Sequence, residues 1–283
     1  MVKPQIACYI TGGWTECGYM THFLEKINSR LDYRQRFPQK NIGKKGKSRT
    51  HFKVDGKTGS ALIKWIYDDI RNHKEDFQKY SGILIEDDLD DQFFLQSKTG
   101  RDYSRIEARK EEITKEIRTL LQNEKMPVFF LFALPEIESW FIADWEHTFG
   151  SEYKSILFEI NSYFSMTFRK YIAKQVLTDD YPFTELENFG YIHSNYQKLS
   201  ERLISAYREY SCADEAYKNN QVYNVKINEL IKNNRLMYSK KAEGINMLQR
   251  LNPEKAAAVC TQYFAKNYML LKNFQAEPAV STA

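Results

Sequence analysis

Hydrophobic and polar positions in the first half of the chain follow two alternating patterns. Short apolar runs are typical of buried strands, and longer segments with apolar residues every three or four positions are typical of helices. The predicted strands are residues 5–11, 80–86 and 128–133, and the predicted helices are residues 16–31, 60–78 and 103–123. This alternating order predicts an α/β fold with a mostly parallel sheet and helices on both faces.

From about residue 151 the pattern changes to helical spacing alone. The segments with this spacing are residues 153–173, 194–210, 222–233 and 253–271, and no strand pattern competes with them. We therefore predict a metal-binding α/β domain over residues 1–150, a helical subdomain over residues 151–274 and a disordered tail over residues 275–283.

Carboxylates follow the end of each predicted strand. Glu16 follows the first strand, Asp88 and Asp90 follow the second, and Glu136 and Glu138 follow the third. Because the carboxyl ends of parallel strands meet at one edge of a sheet, these side chains are expected to converge. Oxygen ligands favour Mg²⁺ or Mn²⁺ over zinc, and a divalent cation would relieve the repulsion between the acids. We predict these five residues as ligands of Mg²⁺ or Mn²⁺.

Each acidic position taken alone also has a purely structural interpretation. Glu16 is suited to the first turn of a helix, where negative charge interacts favourably with the helix dipole. Glu136 and Glu138 are equally suited to an acidic helix start ahead of an apolar stretch. The acidic run from Glu86 to Asp91 is less easily explained this way, because five of its six residues are carboxylates.

Positive charge is concentrated in one short segment. The net charge is only +4, but residues 34–53 contain eight lysines and arginines and no acid. Lys44, Lys45, Lys47 and Arg49 form its densest part, and they are candidate contacts to the phosphates of a nucleic acid. The alternative is a solvated insertion that contacts no ligand.

The remaining composition narrows the class of protein. The four cysteines show neither a C-x-x-C pair nor the histidine spacing of a zinc site, which favours reduced thiols in a cytoplasmic protein. The start of the chain lacks the apolar stretch of a secretory signal. The sequence also contains no apolar run of about eighteen residues, the length that a membrane-spanning helix needs. The sequence does not determine the oligomeric state.

Three motifs resemble a known group of proteins. The turn Gly13-Trp14-Thr15-Glu16, the run Asp88-Leu89-Asp90-Asp91 and the stretch over residues 134–144 are similar to an uncharacterised Toprim-like family of prokaryotic proteins, related to the OLD-family nucleases. The segment Tyr238-Ser239-Lys240-Lys241 extends the resemblance toward the C-terminus. Members of this family are often encoded beside ATPases in defence loci.

The resemblance implies a Toprim-like domain with Mg²⁺- or Mn²⁺-dependent endonuclease activity on DNA or RNA. It implies Glu16 as a general acid/base or metal ligand and Asp88 and Asp90 as ligands. It also implies an ATPase partner and a role in antiviral or abortive-infection defence. Lys240 would act as a catalytic group by neutralising charge on the phosphate, provided that its segment folds back over the sheet edge. The alternative for Lys240 is an ordinary surface position.

The first turn departs from the family pattern. Thr11 and Gly12 stand where the family has an additional acid before the Thr-Glu pair. Other enzymes with a D-x-D motif fit less well: in haloacid-dehalogenase-type phosphatases the motif follows the first strand, and a glycosyltransferase would need an acceptor site. The alternative from a different functional class is a non-catalytic regulatory or binding subunit of an ATPase complex, in which aromatic side chains form the interface.

Overall fold

The computed structural model of the 283-residue chain describes residues 2–11, 13, 15–16, 18–38, 56–89, 103–152, 186–187 and 240–276. Its strands are β1 (Gln5–Ile10), β2 (Asp32–Phe37), β3 (Tyr80–Asp88) and β4 (Val128–Ala133). Its α-helices are α1 (Met20–Ile27), α2 (Gly59–Asn72), α3 (Tyr103–Leu121), α4 (Glu138–Ala143), α5 (Phe149–Glu152), α6 (Ile245–Arg250), α7 (Pro253–Val259) and α8 (Phe264–Asn273). A 3₁₀ helix spans Lys74–Lys79, and a π-helical turn spans Lys240–Gly244.

The four strands form one parallel sheet in the order β2-β1-β3-β4. In its register Ile10 lies opposite Glu86, and Asp88 lies opposite Ala133. The carboxyl ends of β1, β3 and β4 therefore reach the same edge, as the alternating pattern predicts. The α/β class is confirmed for the described residues.

Side chains of the inner strands alternate between two hydrophobic cores, because successive residues of a strand point to opposite faces. Ile6 and Cys8 of β1 and Leu84 of β3 pack in the first core, with α1, α4, α6, α7 and α8. Tyr9 of β1 and Ile85 of β3 pack in the second core, with α2 and α3. Helices thus cover both faces of the sheet.

Helix α1 shows how an apolar stripe docks on the first core. Its buried residues Met20, Phe23, Leu24 and Ile27 recur with helical spacing. Asn28, directly after the helix, donates hydrogen bonds from its side-chain amide to backbone carbonyls in and just after α8, including that of Leu271 at 2.9 Å. The start of the α/β unit and the described C-terminal helices therefore share one core.

Several elements differ from the sequence predictions. The helix predicted over residues 16–31 spans only Met20–Ile27, so Glu16 lies before the helix and not in its first turn. The helix predicted over residues 60–78 is α2 followed by the separate 3₁₀ helix. Strand β2 was not predicted, because Asp32, Arg34 and Arg36 interrupt its apolar character. It is the outermost strand on one side of the sheet, where some of its side chains reach solvent. The helix predicted over residues 253–271 is two helices, α7 and α8, separated by residues 260–263. Strand β4 has the predicted bounds, and β3 continues two residues beyond its predicted end.

Several predictions concern residues outside the described ranges. These are the helical segments over residues 153–173, 194–210 and 222–233, the basic residues Lys44, Lys45, Lys47 and Arg49, the D-x-D residue Asp90, and residues 277–283 of the predicted tail. Within the described part of the chain, no helix is both long and apolar enough to cross a membrane.

Candidate metal centre

Acidic side chains from two separate segments meet at the carboxyl edge of the sheet. Glu16 lies in the turn between β1 and α1, and Glu86 and Asp88 form the end of β3. The oxygens that these three residues offer all lie within 4.8 Å of one another, as required for ligands of a single cation. We call Glu16, Glu86 and Asp88 the acidic triad.

Strand geometry explains why two members of the triad come from one short run. Glu86 and Asp88 are two positions apart in β3, so they share a face of the sheet with Leu84 and the first core. Asp87 lies between them and belongs to the opposite face. Its Oδ2 accepts a hydrogen bond from the backbone N–H of Gly59, the first residue of α2, at 2.6 Å. Asp87 therefore caps a helix, while its two neighbours contribute to the triad.

The triad is held in place by backbone donors. Glu86 Oε2 accepts from the N–H of Thr11 at 3.1 Å, and Asp88 Oδ1 accepts from the N–H of Ile137 at 3.0 Å. Glu16 sits against Gly13, where a Cβ would overlap the Glu16 carboxylate. Glycine at residue 13 therefore allows the turn to bring the Glu16 side chain to the site.

Two oxygens of the triad have no hydrogen-bond partner among the described residues. They are Glu16 Oε2 and Glu86 Oε1, and both side chains are almost completely buried. A buried carboxylate oxygen without a donor costs free energy, on the order of 1–3 kcal/mol or more for a charged group. A divalent cation in the triad would give both atoms a ligand bond.

Burial shifts the protonation of the triad in one direction. Desolvation raises the pKa of Glu16 from 4.5 to about 7, with smaller upward contributions from Glu138 and Asp87 and a downward one from Lys240. Desolvation likewise raises the pKa of Glu86 and of Asp88 well above their ordinary values, and neighbouring carboxylates add to both shifts. A bound cation would oppose these shifts by stabilising the ionised forms.

A second acidic pair lies beside the triad and is associated with a lysine. Glu136 and Glu138, both fully buried, follow β4 at the start of α4. Lys240 Nζ lies 3.2 Å from Glu136 Oε2 and 3.3 Å from Glu138 Oε2. Burial alone lowers the pKa of this ammonium, but the carboxylates of Glu138, Asp88, Glu136 and Glu16 outweigh that effect and hold it well above its ordinary value.

The C-terminal segment reaches the site through a specific contact with the first turn. Thr15 Oγ1 donates a hydrogen bond to the backbone carbonyl of Lys240 at 3.2 Å. Gly244, at the end of the π-helical turn, packs so closely on Thr15 that a Cβ there would overlap the threonine hydroxyl. Lys240 is therefore held over the sheet edge, as its predicted role requires.

The structure thus brings together Glu16, Asp88, Glu136, Glu138 and Lys240 from the sequence prediction, whereas Asp90 lies outside the described ranges. Glu86 is not among the predicted site residues, because the sequence pattern places it as the last residue of a buried strand. Its separation of two positions from Asp88 is the signal that would have identified it.

Glu86 also contacts the backbone at the end of β1. The backbone N–H of Thr11, which directly follows this strand, donates to Glu86. A carboxylate from the neighbouring strand β3 therefore lies beside the end of β1.

Comparison with known proteins gives no family assignment. No family model matches the chain, and searches of curated proteins and of solved structures find no match.

Proposed function

We propose that the protein is a metal-dependent nuclease that hydrolyses phosphodiester bonds of DNA or RNA. The observation that carries the proposal is the acidic triad, in which Glu16 Oε2 and Glu86 Oε1 are buried without a hydrogen-bond donor among the described residues. An all-oxygen donor set of this kind fits Mg²⁺ or Mn²⁺. The substrate class comes from the motif resemblance and from the basic segment over residues 34–53.

Each residue of the centre has a proposed role. Glu86 and Asp88 would hold the cation, and Glu16 would hold it or accept a proton from the attacking water. A divalent cation bound by the triad would stabilise the negative charge that develops on a phosphoryl oxygen. Lys240, whose side chain is 37% exposed, would present positive charge toward the same phosphate.

Hydrolysis by this arrangement balances without a further reactant. The oxygen of water forms a bond to phosphorus, its proton passes to a carboxylate, and the bond from phosphorus to the leaving sugar oxygen breaks. The leaving oxygen takes up a proton. The products are one strand end with a phosphate and one with a hydroxyl.

The setting is proposed from the resemblance alone. We infer a role in antiviral or abortive-infection defence, in the cytoplasm, with an ATPase as protein partner. A non-catalytic subunit of such an ATPase complex is the competing function, and the same experiment distinguishes the two.

The test is incubation of the purified full chain with plasmid DNA and with total RNA in Mg²⁺, Mn²⁺ or EDTA. Asp88→Asn is the inactivating variant, and Glu111→Gln, an exposed substitution on α3, is the matched control. We expect cutting by wild type and by the control, only with metal, and a loss of at least about a hundredfold in Asp88→Asn, equivalent to about 2.7 kcal/mol. Equal cutting by all three proteins would refute the assignment, and no cutting by any would favour the non-catalytic subunit.

A further inference from the structure

The carboxyl edge of the sheet contains two clusters of carboxylates, the acidic triad and the pair Glu136 and Glu138, and the two clusters have different neighbours. Glu136 and Glu138 each place an oxygen within 3.3 Å of the Lys240 ammonium, as in an ion pair, and Lys240 also donates a hydrogen bond to Glu136. For the acidic triad, no comparable ion pair with a lysine or arginine is found among the described residues. The short ion-pair contacts of Lys240 are therefore with Glu136 and Glu138, although its charge also acts on the nearby carboxylates of the triad.

The negative charge at this edge is large, so it matters which cations neutralise each cluster of carboxylates. Five carboxylates, from Glu16, Glu86, Asp88, Glu136 and Glu138, converge here, and four of these side chains are at most 2% exposed. Where two metal ions act together in phosphoryl transfer, they lie about 3.5–4 Å apart and share acidic ligands. The pair Glu136 and Glu138 would be suitable for the second of two such ions. In this protein an ammonium lies against both carboxylates.

Lys240 is a fixed part of the fold and does not reach the pair as a loose surface side chain. Thr15 donates to its backbone carbonyl, and Gly244 packs against the same threonine four residues later. Helix α6 follows directly and buries Met247 and Leu248 in the first core. The position of the Lys240 backbone is therefore set by tertiary contacts at residue 240 and in the residues that follow it.

We propose that Lys240 takes the place of a second divalent cation, so that the centre binds one ion, in the triad, and a lysine at Glu136 and Glu138. The inference rests on the cation site of the proposed function but not on cleavage. It means that the chain itself supplies one positive charge at this edge, and the single bound ion supplies the other two. It also means that removing the ammonium should open a second position for metal.

The experiment counts bound Mn²⁺ on the full chain, by electron paramagnetic resonance of free Mn²⁺ during titration. The proteins are wild type, Lys240→Met, which removes the charge and keeps the length, and Lys240→Arg, which keeps the charge. Lys241→Met is the matched control, because Lys241 is the exposed neighbour in the same turn. We expect one ion per chain for wild type, Lys240→Arg and Lys241→Met, and two for Lys240→Met.

Two ions bound by wild type, or one bound by folded Lys240→Met, would overturn the inference. Should Lys240→Met be unfolded without metal, saturating Mn²⁺ is expected to restore its far-ultraviolet circular dichroism, and failure to restore it would also overturn the inference. One bound ion in wild type without nuclease activity would refute the proposed function and leave this inference standing. No bound ion in wild type would refute the cation site and with it the inference.

Discussion

Neutralising Glu16 is expected to make the metal-free protein more stable at alkaline pH. Its carboxyl is buried, and desolvation raises its pKa from 4.5 to about 7 in the folded protein. Each pH unit between these values corresponds to about 1.36 kcal/mol, so ionised Glu16 costs the folded state about 3 kcal/mol once the pH exceeds the folded pKa. Glu16→Gln removes the ionisable group and retains the size of the side chain.

The direction of the pH dependence follows from proton binding. Between about pH 4.5 and 7 folded Glu16 holds a proton that the unfolded chain has released, so the free energy of unfolding falls as the pH rises through this window. Glu86 and Asp88 act in the same direction, because the pKa of each is also raised. Wild type should therefore lose stability from pH 5 to pH 8, and Glu16→Gln should lose about 3 kcal/mol less.

The assay is urea unfolding followed by tryptophan fluorescence, in EDTA, at several pH values from 5 to 8.5. Glu111→Gln, which removes an exposed carboxylate, serves as the control and should follow wild type. At pH 5 we expect wild type and Glu16→Gln to have similar stability. If Glu16→Gln had the same pH slope as wild type, or were the less stable protein at pH 8, burial would not govern the Glu16 carboxylate and the reasoning would fail.

Three further predictions concern the rest of the described structure. Mn²⁺ at a hundred times its Kd should stabilise wild type by about 2.7 kcal/mol and raise its Tm, and Glu86→Gln should remove most of this gain in a calorimetric scan. Gly244→Ala should cost about 1–3 kcal/mol in urea unfolding, because its methyl group would overlap the Thr15 hydroxyl; an unchanged midpoint would contradict the observed packing. Asp69→Ala should cost about 3 kcal/mol in the same assay, since buried Asp69 pairs with Arg36 at 2.6 Å and accepts from the Tyr9 hydroxyl at 2.8 Å, and a loss below about 1 kcal/mol would show that the ion pair contributes little.

The parts of the fold that were predictable are those in which local pattern and burial agree. Strand β4 is apolar throughout because helices cover both faces of the sheet, and its bounds were predicted from the sequence. Strand β2 was not predictable in this way. Its Arg36 looks like a surface residue in sequence, yet in the fold its side chain is only 14% exposed and is neutralised by Asp69 from α2.

The sequence predicted that acidic residues form the candidate site, but it identified only some of the individual residues. A parallel sheet brings strand ends to one edge, so acids after three strands were expected to converge there, and Glu16, Asp88, Glu136 and Glu138 do so. The inclusion of Glu86 and the exclusion of Asp87 depend on which face of β3 each side chain takes. That choice is set by which residues of the strand the two cores bury.

The sequence by itself determined the α/β class of the described part of the chain and the edge at which acidic side chains gather, because both depend on short-range patterns of apolar and acidic residues. Only the tertiary structure decided that Lys240, more than a hundred residues from Glu136 and Glu138, lies between their carboxylates. Local sequence patterns do not encode such contacts. They depend on how the C-terminal helices pack on the first core and on the fit of Gly244 against Thr15.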